Sequence, residues 1–293
     1  MLLAKVYEYI FARTAHVHFA VTEAMAKKMK KSMGVTAIPL HDRPAAIFQP
    51  LKNQAERSKI LQRLEQTAAH AGQIEKGDWK LIVSSTSWTA DEDFELLLDA
   101  LVGYCKQASS TATNSKSSNS TSATTKLPYI LALITGRGPL LPHYLKRISA
   151  LQQSQQLPHV TITTAWLSTA DYAALLSVAD LGISLHKSSS GVDLPMKVVD
   201  MFGAGLPVVG YARFEAWGEL VKEGENGRGF GTAAELEEVL VELFGGKGGG
   251  GVDGKGNGEE KLRRLREGAV KEGERRWDDE WDRVVGGPVF KVC

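Results

Sequence analysis

Residues 188–209 read Ser-Ser-Ser-Gly-Val-Asp-Leu-Pro-Met-Lys-Val-Val-Asp-Met-Phe-Gly-Ala-Gly-Leu-Pro-Val-Val, and they place three kinds of ligand-binding group in one short stretch. Ser190, Gly191, Asp193 and Leu194 belong to a loop of small and turn-forming residues. Pro195 suits the first turn of a helix, where its missing N–H has no intrahelical partner to lose. Gly205 suits the exit, where the chain turns through the left-handed region. The amides between Gly191 and Met196 would lie at the positive end of that helix, a place that favours an anion such as a diphosphate. Lys197 adds a cation in the first turn. Asp200 follows three residues later, near the same face, where a carboxylate can accept hydrogen bonds from sugar hydroxyls. A βα loop that only packs a core has no need of this combination.

Two other segments carry related chemistry. Gly136-Arg137-Gly138 follows the apolar run Tyr129–Thr135. Glycines there let backbone approach a phosphate, and Arg137 can hold one bidentately. The same residues also serve as a tight turn. A dinucleotide fingerprint would need Gly or Ala at 141; Leu141 stands there, which argues against a nicotinamide enzyme. Ser84-Ser85-Thr86-Ser87-Trp88-Thr89 follows Leu81-Ile82-Val83, and the Ser87 hydroxyl is a candidate phosphate donor. The competing reading is a capped helix start, with Thr89 and Glu92 as a capping box. His186 and Lys187 either touch a ligand or pack the loop. The seven histidines show no metal-binding spacing, so no metal site and no cofactor are expected. Phosphate charge then falls to Arg137, Lys197 and the helix dipole. No residue stands out as a catalytic base.

The runs SSSGVDLPMKVVDMFGAGLPVV (188–209), SSTSWT-x-DEDF (84–94), Gly136–Pro139 and Glu219-Leu220-Val221 with Glu225-Asn226-Gly227 resemble the chitobiosyldiphosphodolichol β-mannosyltransferases, a family of GT-B glycosyltransferases. The resemblance implies an α/β fold of GT-B type: a Rossmann-like, parallel-sheet C-terminal domain that binds the sugar nucleotide, over 46–270. Residues 1–45 would be a remnant of the acceptor-side N-terminal domain with the crossover at His41–Pro44. Residues 271–293 would form a helix packing back toward that domain. It further implies inverting transfer of mannose from GDP-mannose to GlcNAc2-diphosphodolichol, forming a β-1,4 linkage in N-glycan precursor assembly. The place would be the cytosolic face of the endoplasmic reticulum membrane, with other early mannosyltransferases as partners.

In that frame Ser87, Gly136, Arg137, Gly138, Ser190, Gly191, Asp193, Leu194, Pro195, Met196 and Lys197 would hold the donor diphosphate, and Asp200 the ribose. Related GT-B enzymes carry Glu-x7-Glu. Here Asp200 stands for the second acid, while Val192, with Asp193 beside it, stands for the first. The family's membrane anchor and most of its first domain are not seen, so the chain reads as N-terminally truncated and as weak or inactive alone. Two alternatives remain. One is a non-catalytic scaffold for other pathway glycosyltransferases, using a Trp277/Trp281 face. The other is a GT-B enzyme with a different nucleotide-sugar donor.

These groups need a scaffold that brings several strand ends together. The pattern supplies one: nearly all-apolar strands at 81–83, 129–135, 160–163, 181–185 and 206–211 alternate with helices at 91–105, 139–152 and 169–178, with Ser168 and Asp171 capping the last. That alternation predicts a parallel sheet covered on both faces. Upstream, helices are expected at 4–14, 22–33 and 54–70, with a short strand at 16–21. Met25, Met29 and Met33 would pack while Lys27, Lys28, Lys30 and Lys31 stay solvated or face anionic lipid. Residues 107–126 and 245–258 are low-complexity and read as disordered inserts. Residues 275–285 read as one amphipathic helix.

Composition narrows the classes. The chain has 293 residues, 43% of them hydrophobic, and a formal net charge of +1. That supports a real core and offers no electrostatic case for nucleic acid. Two cysteines, Cys105 and Cys293, make no disulfide framework. No run reaches the roughly 18 apolar residues of a spanning helix, and the N-terminus is too polar for a signal peptide.

Overall fold

Leu2–Ala12 (α1) leads to a three-residue strand, His18–Ala20 (β1), and to the helix Glu23–Met33 (α2). Thr22 caps α2: its hydroxyl accepts the Met25 N–H, and Gly34 ends the helix at φ 73°. Ala37–Pro39 (β2) pairs in parallel with β1 as a separate two-stranded sheet. The computed structural model describes residues 2–114, 127–188, 190–246, 258–287 and 290. Ser189, Cys293 and residues 115–126 and 247–257 of the low-complexity inserts lie outside the described residues.

The helix expected over 54–70 is two pieces, Gln54–Arg63 (α3) and Glu65–Ala68 (α4), and a further short helix, Ala71–Lys76 (α5), follows it. The break falls at Leu64, whose backbone is extended while its side chain enters the core. Thr67 fixes that turn by donating its hydroxyl to the Leu61 carbonyl at 2.7 Å. Packing overrides helix propensity here.

The main unit then alternates: Trp79–Ser85 (β3), Phe94–Asn114 (α6), Tyr129–Thr135 (β4), Leu141–Gln153 (α7), Val160–Ala165 (β5), Thr169–Val178 (α8), Leu181–Ser184 (β6), Met196–Gly203 (α9), Val208–Tyr211 (β7), Trp217–Leu220 (α10), Gly227–Phe230 (β8), Ala233–Phe244 (α11), Gly258–Gly273 (α12) and Trp277–Trp281 (α13). The six strands lie in the order β5-β4-β3-β6-β7-β8, and every pairing is parallel. Side chains alternate across the sheet. Ile82, Ile130, Ala132 and Ile134 enter the core shared with α6, α7 and α11. Leu81, Val83, Leu131 and Leu133 enter the opposite core with α3, α8 and α9. Two buried faces explain why these strands are apolar at nearly every position.

Three further segments differ from the sequence reading. The Gly227-Arg228-Gly229-Phe230 strand was not foreseen, because two glycines in four residues give no strand signal. Its glycines are steric: a Cβ on Gly227 would sit 2.4 Å from the Val208 carbonyl oxygen of the neighbouring strand. The helix after β3 starts at Phe94 and runs on to Asn114, so residues 107–114 of the first insert are helical. Ala108 is buried and the Ser109 hydroxyl bonds back to the Cys105 carbonyl, which lets Ser/Ala-rich chain continue the helix. At the C-terminus α13 is short and passes into a π turn, Asp282–Gly286. Val284 and Val285 are buried, while Trp277 and Trp281 stay 40% exposed, their rings 6.1 Å apart.

Carboxylates fasten the N-terminal segment to the main unit. Glu219 accepts the N–H groups of Glu23 and Ala24 at 2.6 and 2.8 Å, at the start of α2, and faces His41 Nε2 at 3.0 Å. This match of carboxylate to helix N-terminus satisfies amides that the helix itself cannot. Arg43, after β2, donates to Glu272 at 3.1 Å and to Glu280 at 3.2 Å, and both acids are buried. The buried Asn226 side chain bonds to the backbone of Leu220 and Lys222.

Burial alone would raise the Glu219 pKa, but the bonds from His41 and the two amides outweigh it and lower it. Glu219→Ala is therefore expected to cost about 1–3 kcal/mol in urea unfolding at neutral pH. The loss should be full above the carboxylate's unfolded pKa of about 4.3 and fade as the pH falls through the lower folded value.

Candidate functional site

The chain runs β3, β4, β5 outward in one direction, then returns to lay β6 on the other side of β3. Ligands of open α/β sheets bind in the crevice at such a reversal, outside the carboxyl ends of the strands. The marked segments leave the sheet along that edge: 85–88 after β3, 136–138 after β4 and 186–195 after β6.

The loop after β6 is shaped by Asp193. Its Oδ1 accepts the hydroxyls of Ser190, at 2.5 Å, and of Ser188, and its Oδ2 faces His186 Nε2 at 2.9 Å. Burial pulls its pKa up, but these hydrogen bonds win and hold it at about 2. Asp193 and Ser190 are thus joined to each other within the loop. Gly191 takes φ 75°. Leu194 is buried, and the Val192 carbonyl accepts the Thr22 hydroxyl at 2.5 Å. Pro195 lies at the N-cap of α9, one residue outside the helix. Met196 opens α9 and is 55% exposed. Gly205 has φ 70°, and the Leu206 N–H returns to the Met201 carbonyl at 2.9 Å, closing the helix as expected.

Lys197 extends from α9 across the crevice to Glu92. Its Nζ donates to Glu92 Oε1 at 2.5 Å and lies 3.5 Å from the Ser87 hydroxyl. Glu92 is 5% exposed. It accepts the Ser87 N–H at 2.6 Å and the Thr86 hydroxyl. Burial would raise its pKa; the bonds from Lys197 and Thr86 outweigh that and lower it. The capping box expected of Thr89 and Glu92 does not form. The Glu92 side chain turns back to the strand end, where the half-exposed Lys197 cation and two further donors bind it. Sequence reasoning missed Glu92 as a site group, although an acid directly after an apolar strand and a Ser/Thr run was a usable signal. Lys187, which the sequence left open between ligand contact and packing, is paired with Asp93 at 2.6 Å.

The glycines of the β4 turn answer to the protein itself. A Cβ on Gly136, at φ 137°, would lie 1.7 Å from the Thr86 carbonyl oxygen; one on Gly138 would lie 1.8 Å from that of Ser87. Bare backbone is what lets the two strand-end loops touch. Arg137 between them is exposed, and its guanidinium stacks 4.6 Å over the ring of Trp166.

Asp200, on α9, is half-buried, and no hydrogen bond or ion pair reaches its carboxylate among the described residues. Burial pushes its pKa up to about 6. It is close enough to Tyr172 to help raise that hydroxyl to about 12, where burial is the main cause, and Tyr172 in turn bonds Ser85 at 2.8 Å. An unsatisfied half-buried carboxylate is costly, and it suits a ligand that brings hydroxyl donors. No cluster of three potential metal ligands occurs among the described residues.

The comparisons with known proteins bear on this geometry. No protein-family model matches the chain. A chitobiosyldiphosphodolichol β-mannosyltransferase of Arthroderma benhamiae is 47% identical over 282 residues, covering 96% of this chain and 58% of that protein. The Mus musculus protein of the same name is 37% identical, over 97% of this chain and 59% of its own length. The chain is a relative of the chitobiosyldiphosphodolichol β-mannosyltransferases. It spans a little over half of their length. An Arabidopsis thaliana relative, 35% identical over 93% of this chain and 62% of its own, is named UDP-glycosyltransferase TURAN. Among solved structures, sucrose-phosphate synthase from Thermosynechococcus elongatus superposes with a TM-score of 0.61 at 11% identity, over 96% of this chain and 59% of that one. The C-terminal domain of a group 1 glycosyl transferase from Francisella tularensis gives 0.51 at 11% identity, over 79% of this chain and 96% of that domain. The fold is that of GT-B glycosyltransferases.

Two outcomes follow from the geometry. Gly136→Ala should destabilise by about 2–4 kcal/mol, from a backbone clash in a forbidden conformation, read as a fall in the urea midpoint. Asp200 has a folded pKa above its unfolded one, so its contribution is favourable at low pH and is lost as pH rises through about 6. Asp200→Asn should therefore stabilise the ligand-free chain by roughly 1–2 kcal/mol at pH 7.5, allowing for partial solvent screening. The gain should vanish near pH 4.

Proposed function

We propose that this chain carries the donor half of an inverting mannosyltransferase that takes GDP-mannose and elongates GlcNAc2-diphosphodolichol at the cytosolic face of the endoplasmic reticulum. The observation that carries the reading is Asp200: an unpartnered carboxylate on the helix whose first turn holds Lys197, at the switch point of the sheet. Its support in sequence is the naming of relatives aligned over nearly the whole chain as chitobiosyldiphosphodolichol β-mannosyltransferases.

In this reading Asp200 accepts the ribose hydroxyls. The diphosphate meets the Lys197 ammonium and the amides at the start of α9, whose N-cap side chain supplies no competing acceptor. Ser87 adds a hydroxyl from the end of β3, and Arg137 flanks the crevice beside Trp166. An α-linked donor and a β product require one in-line displacement at the anomeric carbon. The acceptor hydroxyl attacks as the bond to the diphosphate breaks, and negative charge grows on the leaving phosphate. A fixed cation and oriented amides stabilise that charge more in the transition state than in the ground state. The acceptor proton passes to a general base, a role to which no residue is assigned. Among the described residues no helix is long and apolar enough to cross a membrane.

A second reading, a uridine nucleotide donor, draws on the name of the Arabidopsis relative. A thermal-shift titration with GDP, UDP and ADP separates the two. GDP at 100 times its dissociation constant should add about 2.7 kcal/mol, with little effect of UDP or ADP, and the shift should be lost in Lys197→Ala and Asp200→Ala. Selective stabilisation by UDP would favour the second reading, and no shift with any nucleotide would count against both.

A further inference from the structure

The Glu92–Lys197 pair joins residues 105 positions apart and crosses the switch point of the sheet. Glu92 is held from several sides. One carboxylate oxygen takes the Ser87 N–H and the Thr86 hydroxyl, which leaves the other to Lys197. Its backbone bridges to His186 at the end of β6, and the neighbouring Asp91 carbonyl accepts the Lys187 N–H at 2.8 Å. The position of this carboxylate is therefore set by the ends of β3 and β6 together. Lys197 differs: its side chain is 35% exposed and long. Without a fixed partner its ammonium would sample many rotamers over the crevice.

We propose that Glu92 is a positioning residue for diphosphate recognition. It holds the Lys197 ammonium where the second phosphate of a nucleoside diphosphate arrives, and so sets the preference for diphosphate over monophosphate. The inference rests on the donor-site reading above. An ammonium has three donors. One goes to Glu92, a second lies near Ser87, and the exposed side of the group faces the crevice. The carboxylate's own charge opposes an incoming anion. It sits behind the ammonium in the protein interior, so the cation is the nearer charge and its attraction is the larger. Removing the Glu92 charge thus loses more by freeing Lys197 than it gains by reducing repulsion.

A merely structural Glu92 would weaken every ligand of the crevice alike; a positioning Glu92 acts only through Lys197. GDP and GMP binding to the chain is measured by calorimetry for wild type, Glu92→Gln, Lys197→Met and the double variant. Glu92→Gln should weaken GDP about tenfold and leave GMP within about twofold, and it should add nothing in the Lys197→Met background, as expected of two coupled groups. Thr86→Val cuts the same network more mildly, should shift GDP in the same direction, and is the variant read if Glu92→Gln does not fold. Equal weakening of GDP and GMP, undiminished GDP binding, or additive losses in the double variant would overturn the proposal. If wild type binds neither nucleotide, the donor-site reading fails and the role of Glu92 fails with it.

Discussion

A parallel sheet buried on both faces sends all of its carboxyl ends to one edge, and that constraint organises this molecule. Six strands run the same way between two layers of helices. Loops 85–88 and 136–138 therefore meet, and the segment after β6 reaches residues 91–93, although all are far apart in the chain. Their contact is close enough that Gly136 and Gly138 leave no space for a Cβ against the Thr86 and Ser87 carbonyls. The same packing that fills the cores thus builds the crevice.

Electrostatics divides the acids of the crevice by role. Asp193 is saturated by Ser188, Ser190 and His186 and shapes its loop. Glu92 is saturated by Thr86, Ser87 and Lys197 and ties two strand ends to α9. Asp200 has no such partners and bears the cost of its burial. Burial of the Asp200 charge therefore lowers the stability of the ligand-free chain above its pKa of about 6, whereas the hydrogen bonds of the other two support the fold. Outside the crevice, Glu219, Glu272 and Glu280 hold α2, His41 and Arg43 to the main unit. The short β1–β2 sheet is kept in place by charge and capping as well as by apolar contact.

Much of the fold could be read from local pattern. The strand at Tyr129–Thr135 and the helix at Thr169–Val178 match the reading residue for residue, because an uninterrupted apolar run and a Ser168 cap are unambiguous signals. Two of the failures share one cause. Leu64 reads as helix until its side chain is needed in the core; Thr89 and Glu92 read as a cap until Lys197 comes within reach. In each case a partner distant in sequence outweighed a local preference worth only a fraction of a kcal/mol to about 1 kcal/mol.

Sequence alone determined the alternation of strands and helices between residues 79 and 211, the glycine exit of α9, and the residue types able to meet a diphosphate and a ribose. Those depend on hydrophobic period, φ preference and side-chain chemistry, which neighbouring residues display. The tertiary structure decided which of those groups are already occupied. It paired Lys197 with Glu92, closed Asp193 onto its own loop, laid Arg137 on Trp166 and left Asp200 without a partner. Those outcomes depend on distances between strand ends, which exist only once the sheet has formed.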